Sequence, residues 1–121
     1  MILVDTSVWI DHMRTGNRKL RALLNDAEVL AHAFVVGELA CGTLRNREEV
    51  MALLQALPKA EAAEHGEVMG LVERERLYGR GLGWIDAHLL ASARLSGASL
   101  WTLDRRLSKI AAALDLAVPP D

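Results

Sequence analysis

The apolar positions change period several times along the chain. Ile2-Leu3-Val4 is an unbroken apolar triplet ending on Asp5, the pattern of a short strand buried on both faces. Thr6 and Ser7 suit a helix start, and Val8, Trp9 and Ile10 carry that helix to about Met13. Thr15-Gly16-Asn17 breaks it. From Lys19 to Asn25, Leu20, Leu23 and Leu24 share one helical face. Val29-Leu30-Ala31 reads as a second strand. Helices follow over 33–44 and 47–57, the latter stopped by Pro58. A weak third strand is placed near Lys59 to Glu61, and a helix over 64–77 with Val68, Leu71 and Val72 on one face. Gly79-Arg80-Gly81-Leu82-Gly83 is a flexible connector. Trp84 to Leu95 is strongly helical and Gly97 ends it. Ser99 to Leu103 is a fourth strand, Arg105 to Leu114 the last helix, and Leu116 to Val118 an edge strand before Pro119-Pro120.

Strands alternating with helices predict an α/β fold. The expected architecture is one domain over residues 1–121: a parallel sheet of four to five strands with helices on both faces, a three-layer α/β/α arrangement. In such sheets ligands sit at the carboxyl ends of the strands. The 121 residues are 51% hydrophobic and 25% charged, which suits one folded domain and excludes disorder. Cys41 is the single cysteine, so no disulfide framework forms within the chain. A formal net charge of −2 excludes the strongly basic coat of an avid nucleic-acid binder. Eleven of the fourteen basic residues are nonetheless Arg, whose planar fork suits phosphates and carboxylates. No run approaches the ~20 apolar residues of a membrane span, and Met1 to Asp5 carries no secretion signal. The expectation is a cytoplasmic protein without membrane contact.

Four acids stand where this fold places chemistry. Asp5 and Asp104 each follow the apolar residues of a strand, at its carboxyl end, where either could instead cap the next helix. Asp86 shares a helical face with Leu82, Leu89, Leu90 and Ala93, and Glu38 with Phe34, Val35 and Cys41. Both are thus expected to point toward the core side. A carboxylate there pairs, protonates or binds a metal, and Arg45, Arg80 and Arg94 are the candidate ion-pair partners. Two bare carboxylates ~4 Å apart repel by about 4 kcal/mol at an effective dielectric near 20, so four together call for a cation. An all-oxygen donor set selects Mg²⁺ or Mn²⁺ over Zn²⁺.

The segments around these acids resemble a known family. Asp5-Thr6-Ser7-Val8-Trp9-Ile10-Asp11 is similar to the opening of PIN-domain proteins. Val36-Gly37-Glu38-Leu39 resembles their second acidic motif, Gly83-Trp84-Ile85-Asp86-Ala87-His88-Leu89-Leu90-Ala91 the third, and Leu100-Trp101-Thr102-Leu103-Asp104 the fourth. Order and spacing match over essentially the whole chain. Size and the Tyr78-Gly79-Arg80-Gly81 lead-in are most similar to the VapC toxins of type II toxin–antitoxin pairs. The resemblance implies an Mg²⁺- or Mn²⁺-dependent endoribonuclease with Asp5, Glu38, Asp86 and Asp104 as metal site, Asp5 and Asp86 foremost. It implies hydrolysis of RNA phosphodiesters by activated water, leaving 5′-phosphates, and a cognate antitoxin that restrains the enzyme.

Around that site, the hydroxyls of Thr6, Ser7 and Thr102 are positioned to orient a carboxylate or its water. Arg14, Arg18 and Arg80 are candidate contacts to RNA or antitoxin. Trp9, Trp84 and Trp101 each adjoin an acidic motif, and packing beside the sheet is their expected role. His88, two residues from Asp86, points away from that carboxylate. A homodimer and a toxin–antitoxin hetero-oligomer are expected assemblies. The competing reading is a non-catalytic α/β binding module whose acidic pocket recognises a protein partner.

Overall fold

The computed structural model describes residues 1–119; Pro120, in the proline pair that follows the expected edge strand, lies outside the described residues. Three short strands, β1 (Ile2–Val4), β2 (Val29–Leu30) and β3 (Ser99–Trp101), form a parallel sheet in the order β2-β1-β3. Among the described residues seven helices surround it: α1 (Thr6–Thr15), α2 (Arg18–Asn25), α3 (Ala33–Ala40), α4 (Arg47–Ala56), α5 (His65–Arg74), α6 (Trp84–Leu95) and α7 (Arg105–Ala113). The parallel α/β class matches the sequence reading; the count of four to five strands does not.

The two missing strands are reduced to single bridges, Ala31 with Lys59 and Leu100 with Ala117. The physical reason lies in competing hydrogen-bond donors and acceptors. Past Ala60 the backbone amides of Glu61 and Ala63 donate to the hydroxyls of Ser96 and Ser92 on α6 instead of extending a ladder. β2 stops just as early, because His32 turns the chain into α3 and caps it. After Ala117, Pro119 has no amide proton with which to extend an edge. Two helices also end sooner than their apolar period suggests, α3 at Ala40 and α5 at Arg74.

Central strand β1 lies between its partners, with Leu3 and Val4 fully buried. The path β1 to β2 steps one way across the sheet and β2 to β3 steps back across β1. Right-handed crossovers therefore put the two connections on opposite faces. β3 continues through α7 to the bridge on its far side. Chain paths thus diverge between the carboxyl ends of β1 and β3, the point where parallel sheets of this kind bind ligands. Helix α6 packs against both of these strands and buries Leu89, Leu90 and Ala93 on them. It leads into β3 and so runs antiparallel to it, with its N-terminus at the same edge of the sheet.

Candidate active site

Asp5 leaves β1 at this divergence and Asp104 follows β3 two residues beyond Thr102. The backbone closes the seam, with the Asp5 amide donating to the Trp101 carbonyl at 2.9 Å. Asp5 is only 8% exposed. It occupies the N-cap position of α1, yet its side chain makes no cap. Its Oδ2 instead accepts from Thr102 Oγ1 at 2.7 Å and Ser7 Oγ at 2.8 Å. Asp104 does cap its helix: Oδ1 accepts from the Leu107 amide at 3.0 Å. Thr102 and Ser7 also fix the loop between them, accepting from the amides of Asp104 and Leu103 at 3.0 Å each.

Asp86 lies in the first turn of α6, where its Oδ2 accepts from the Gly83 amide at 3.2 Å. Burial pushes its carboxyl above the usual range; the Gly83 amide opposes this, and the charges of Asp5 and Asp104 add to the rise. These three acids therefore share one electrostatic field. Glu38 enters from α3 and is tied to α1, Oε1 accepting from Thr6 Oγ1 at 3.1 Å. It is exposed, contrary to the expectation that it faces the core, because the side of α3 it shares with Phe34 and Cys41 is itself exposed.

A common pattern links the four. Each carboxylate commits one oxygen to a protein donor, and its second oxygen takes part in none of the described hydrogen bonds. None forms an ion pair among the described residues; Arg94 pairs with Glu75 at 3.7 Å, and Arg45 and Arg80 pair with no site acid. Nor do three or more Asp, Glu, His or Cys side chains close into a ready-made metal cage among those residues. The arrangement is a rim of half-satisfied carboxylates. Thr6, Ser7 and Thr102 all touch one of them, whereas Arg14, Arg18 and Arg80 lie exposed without a described contact to the acids.

The three tryptophans part ways. Trp9 is 1% exposed and belongs to the core, and Trp101 is half-buried under the Lys19 ammonium, 5.1 Å from its ring centroid. Trp84 is 43% exposed, so its expected packing role is wrong. His88 is buried, between the rings of Phe34 and Trp84. This ring contact was missed in the sequence, although the i,i+4 spacing of Trp84 and His88 signals it.

A PIN-domain family model matches residues 2–113. The chain belongs to the PIN-domain family. Its VapC character rests on relatives: the chain is 48% identical over 119 residues to Ribonuclease VapC32 of two Mycobacterium tuberculosis strains, covering 98% of this chain and 96% of theirs. Among solved structures, the crystal structure of FitAcB from Neisseria gonorrhoeae superposes with a TM-score of 0.66 at 24% identity, covering 97% of this chain and 95% of that one. The latter likeness speaks to the PIN fold alone.

Proposed function

We propose that this PIN-domain chain is an endoribonuclease, the toxin of a toxin–antitoxin pair, working with Mg²⁺ or Mn²⁺. The single observation carrying the reading is the rim of Asp5, Glu38, Asp86 and Asp104, each with one oxygen fixed and one without a donor among the described residues. The ribonuclease name of its relatives supports the substrate class.

The donor set fits a hard divalent cation. All ligating atoms are carboxylate oxygens, none is neutralised by a described ion pair, and burial plus neighbouring charge raises the Asp86 carboxyl. Asp5, Asp86 and Asp104 would hold the ion, with Glu38 from α3 as the fourth donor. A bound divalent ion would supply charge neutralisation at the phosphate and a water acidified for in-line attack. The protein's own part is positional. Ser7 and Thr102 keep Asp5 aimed, because both hydroxyls donate to the same oxygen. Thr6 does the same for Glu38, and the Gly83 amide for Asp86.

A cognate antitoxin is the proposed partner, its tail lying across the helices and reaching the acids, with Arg14, Arg18 and Arg80 as candidate contacts to it or to RNA. A homodimer through an apolar helical face, assembled further with antitoxin, and a cytoplasmic location complete the proposal. No helix among the described residues is long and apolar enough to cross a membrane. The test is RNA cleavage by the purified chain with Mg²⁺ or Mn²⁺, with EDTA, and with Asp5→Asn. Cleavage is expected only with the ion and the intact carboxylate; undiminished cutting by Asp5→Asn in EDTA overturns the proposal.

A further inference from the structure

Five rings run in a row from the start of α3 across α6 to the start of α5. Centroid distances are 5.2 Å from His32 to Phe34, 4.7 Å from Phe34 to His88, 4.9 Å from His88 to Trp84 and 5.2 Å from Trp84 to His65. Interplanar angles run from 49° to 87°, so no ring lies flat on another. Within the row His32 and His88 are buried, while Phe34 and Trp84 stand 39% and 43% exposed. Phe34 is four residues before Glu38 on α3, so the two share a helical face about 6 Å apart along the axis. Trp84 is two residues before Asp86 on α6 and leaves the helix on the other side from that carboxylate, but it joins Phe34 through the ring of His88.

Resting on the nuclease reading above, we infer that Trp84 and Phe34 form a stacking platform for RNA bases flanking the scissile phosphate. Every base offers a π-face, and exposed aromatic rings bind single strands through it without regard to sequence. The edge-on contacts with buried histidines hold the two rings in place, so little side-chain freedom is lost when a base settles on them. A protein interface fits the patch less well. Phe34, Trp84 and neighbouring Ile85 together expose on the order of 250 Å², against the ~800 Å² per partner that a stable interface buries.

The test uses a short random-sequence single-stranded RNA and an abasic ribose-phosphate chain of equal length. Cleavage kinetics are measured on the RNA, and binding of both probes by fluorescence anisotropy, for the wild type, Trp84→Leu, Trp84→Phe and Phe34→Leu. Circular dichroism and sedimentation check fold and mass; Trp84→Phe and Phe34→Leu keep the test open should Trp84→Leu not fold. Trp84→Leu is expected to raise KM and weaken RNA binding about tenfold, matching the loss of one stacked base. Its kcat should change less than about twofold. Trp84→Phe restores most of the affinity, and the abasic chain binds every variant alike. Unchanged RNA binding in both Leu variants overturns the platform, as does a change in sedimenting mass that marks the rings as a protein interface. Absence of cleavage by the wild type defeats the nuclease reading instead, and the two binding probes still decide the platform on their own.

Discussion

The hydroxyl of Thr102 serves two acids at once. It donates to Asp5 Oδ2 at 2.7 Å and accepts from the Asp104 amide at 3.0 Å, joining residues that leave different strands. Thr102→Val keeps the branching but leaves Asp5 with Ser7 alone and strips the Asp104 amide of its partner. Losing a hydrogen bond to a charged group costs about 2 kcal/mol, so urea unfolding should show a loss of that size. Cleavage should fall with it, and Thr102→Ser should recover both. Trp9 shows the opposite condition: it is buried in the core and its Nε1 finds no acceptor among the described residues. Nothing in the structure explains that unpaired donor.

At the level of elements, two junctions hold the site helices in register. The connector into α6 turns on Gly81, whose φ of +76° disfavours any residue with a Cβ. A Cβ there would also stand 2.6 Å from an Arg106 guanidinium nitrogen, which must move aside. Gly81→Ala is expected to cost about 1–2 kcal/mol for the left-handed backbone. Because the connector delivers Asp86, cleavage should drop along with the melting midpoint. The second junction is His32, 2% exposed, which caps α3 by accepting the Phe34 amide at Nδ1 and meets Ser92 of α6 through Nε2 at 3.0 Å. With Nδ1 an acceptor, Nε2 carries the proton. Burial, and then the nearby charge of His88, lowers the His32 pKa. The unfolded chain therefore binds a proton more readily than the folded one. The stability contributed by neutral His32 is complete above the ordinary His pKa of about 6.5 and is lost as the pH falls below it. Thermal melts across pH 5–8 should show that decline. His32→Asn, which can still cap but cannot titrate, should lessen it, the remainder coming from His88, whose pKa burial also lowers, while lowering stability at neutral pH.

For the molecule as a whole, the proposed cation would couple function to stability. An ion that binds only the folded state stabilises it by mass action, by about 2.7 kcal/mol at a hundredfold excess over Kd. Mg²⁺ or Mn²⁺ should raise the melting midpoint by several degrees, EDTA should reverse the gain, and Asp5→Asn should show none. A binding module whose acids recognise a protein instead predicts a midpoint indifferent to the ion. With a net charge of −2, the proposed ion would matter for approach as well, since an acidic rim repels a phosphate chain until it is neutralised.

The sequence by itself determined the order of the helices and of the three strands that form, and the parallel α/β class, and it singled out the four acids proposed as the site. Those features are written in local pattern: Ile2-Leu3-Val4 ending at Asp5, the apolar period from Trp84 to Leu95, the glycines before Asp86. It also placed Thr6, Ser7 and Thr102 near carboxylates, because residues adjoining a strand end share its edge of the sheet. Only the tertiary structure decided how many strands survive, since Ser92 and Ser96 take amides that Glu61 and Ala63 would otherwise give to a ladder. It alone showed that Asp104 caps its helix while Asp5 does not, that Glu38 is exposed, and that Trp84 stands in solvent where Trp9 is buried. Period along a chain reports which residues share a face. It does not report whether a neighbouring element covers that face, and burial, charge coupling and exposed rings all follow from that covering.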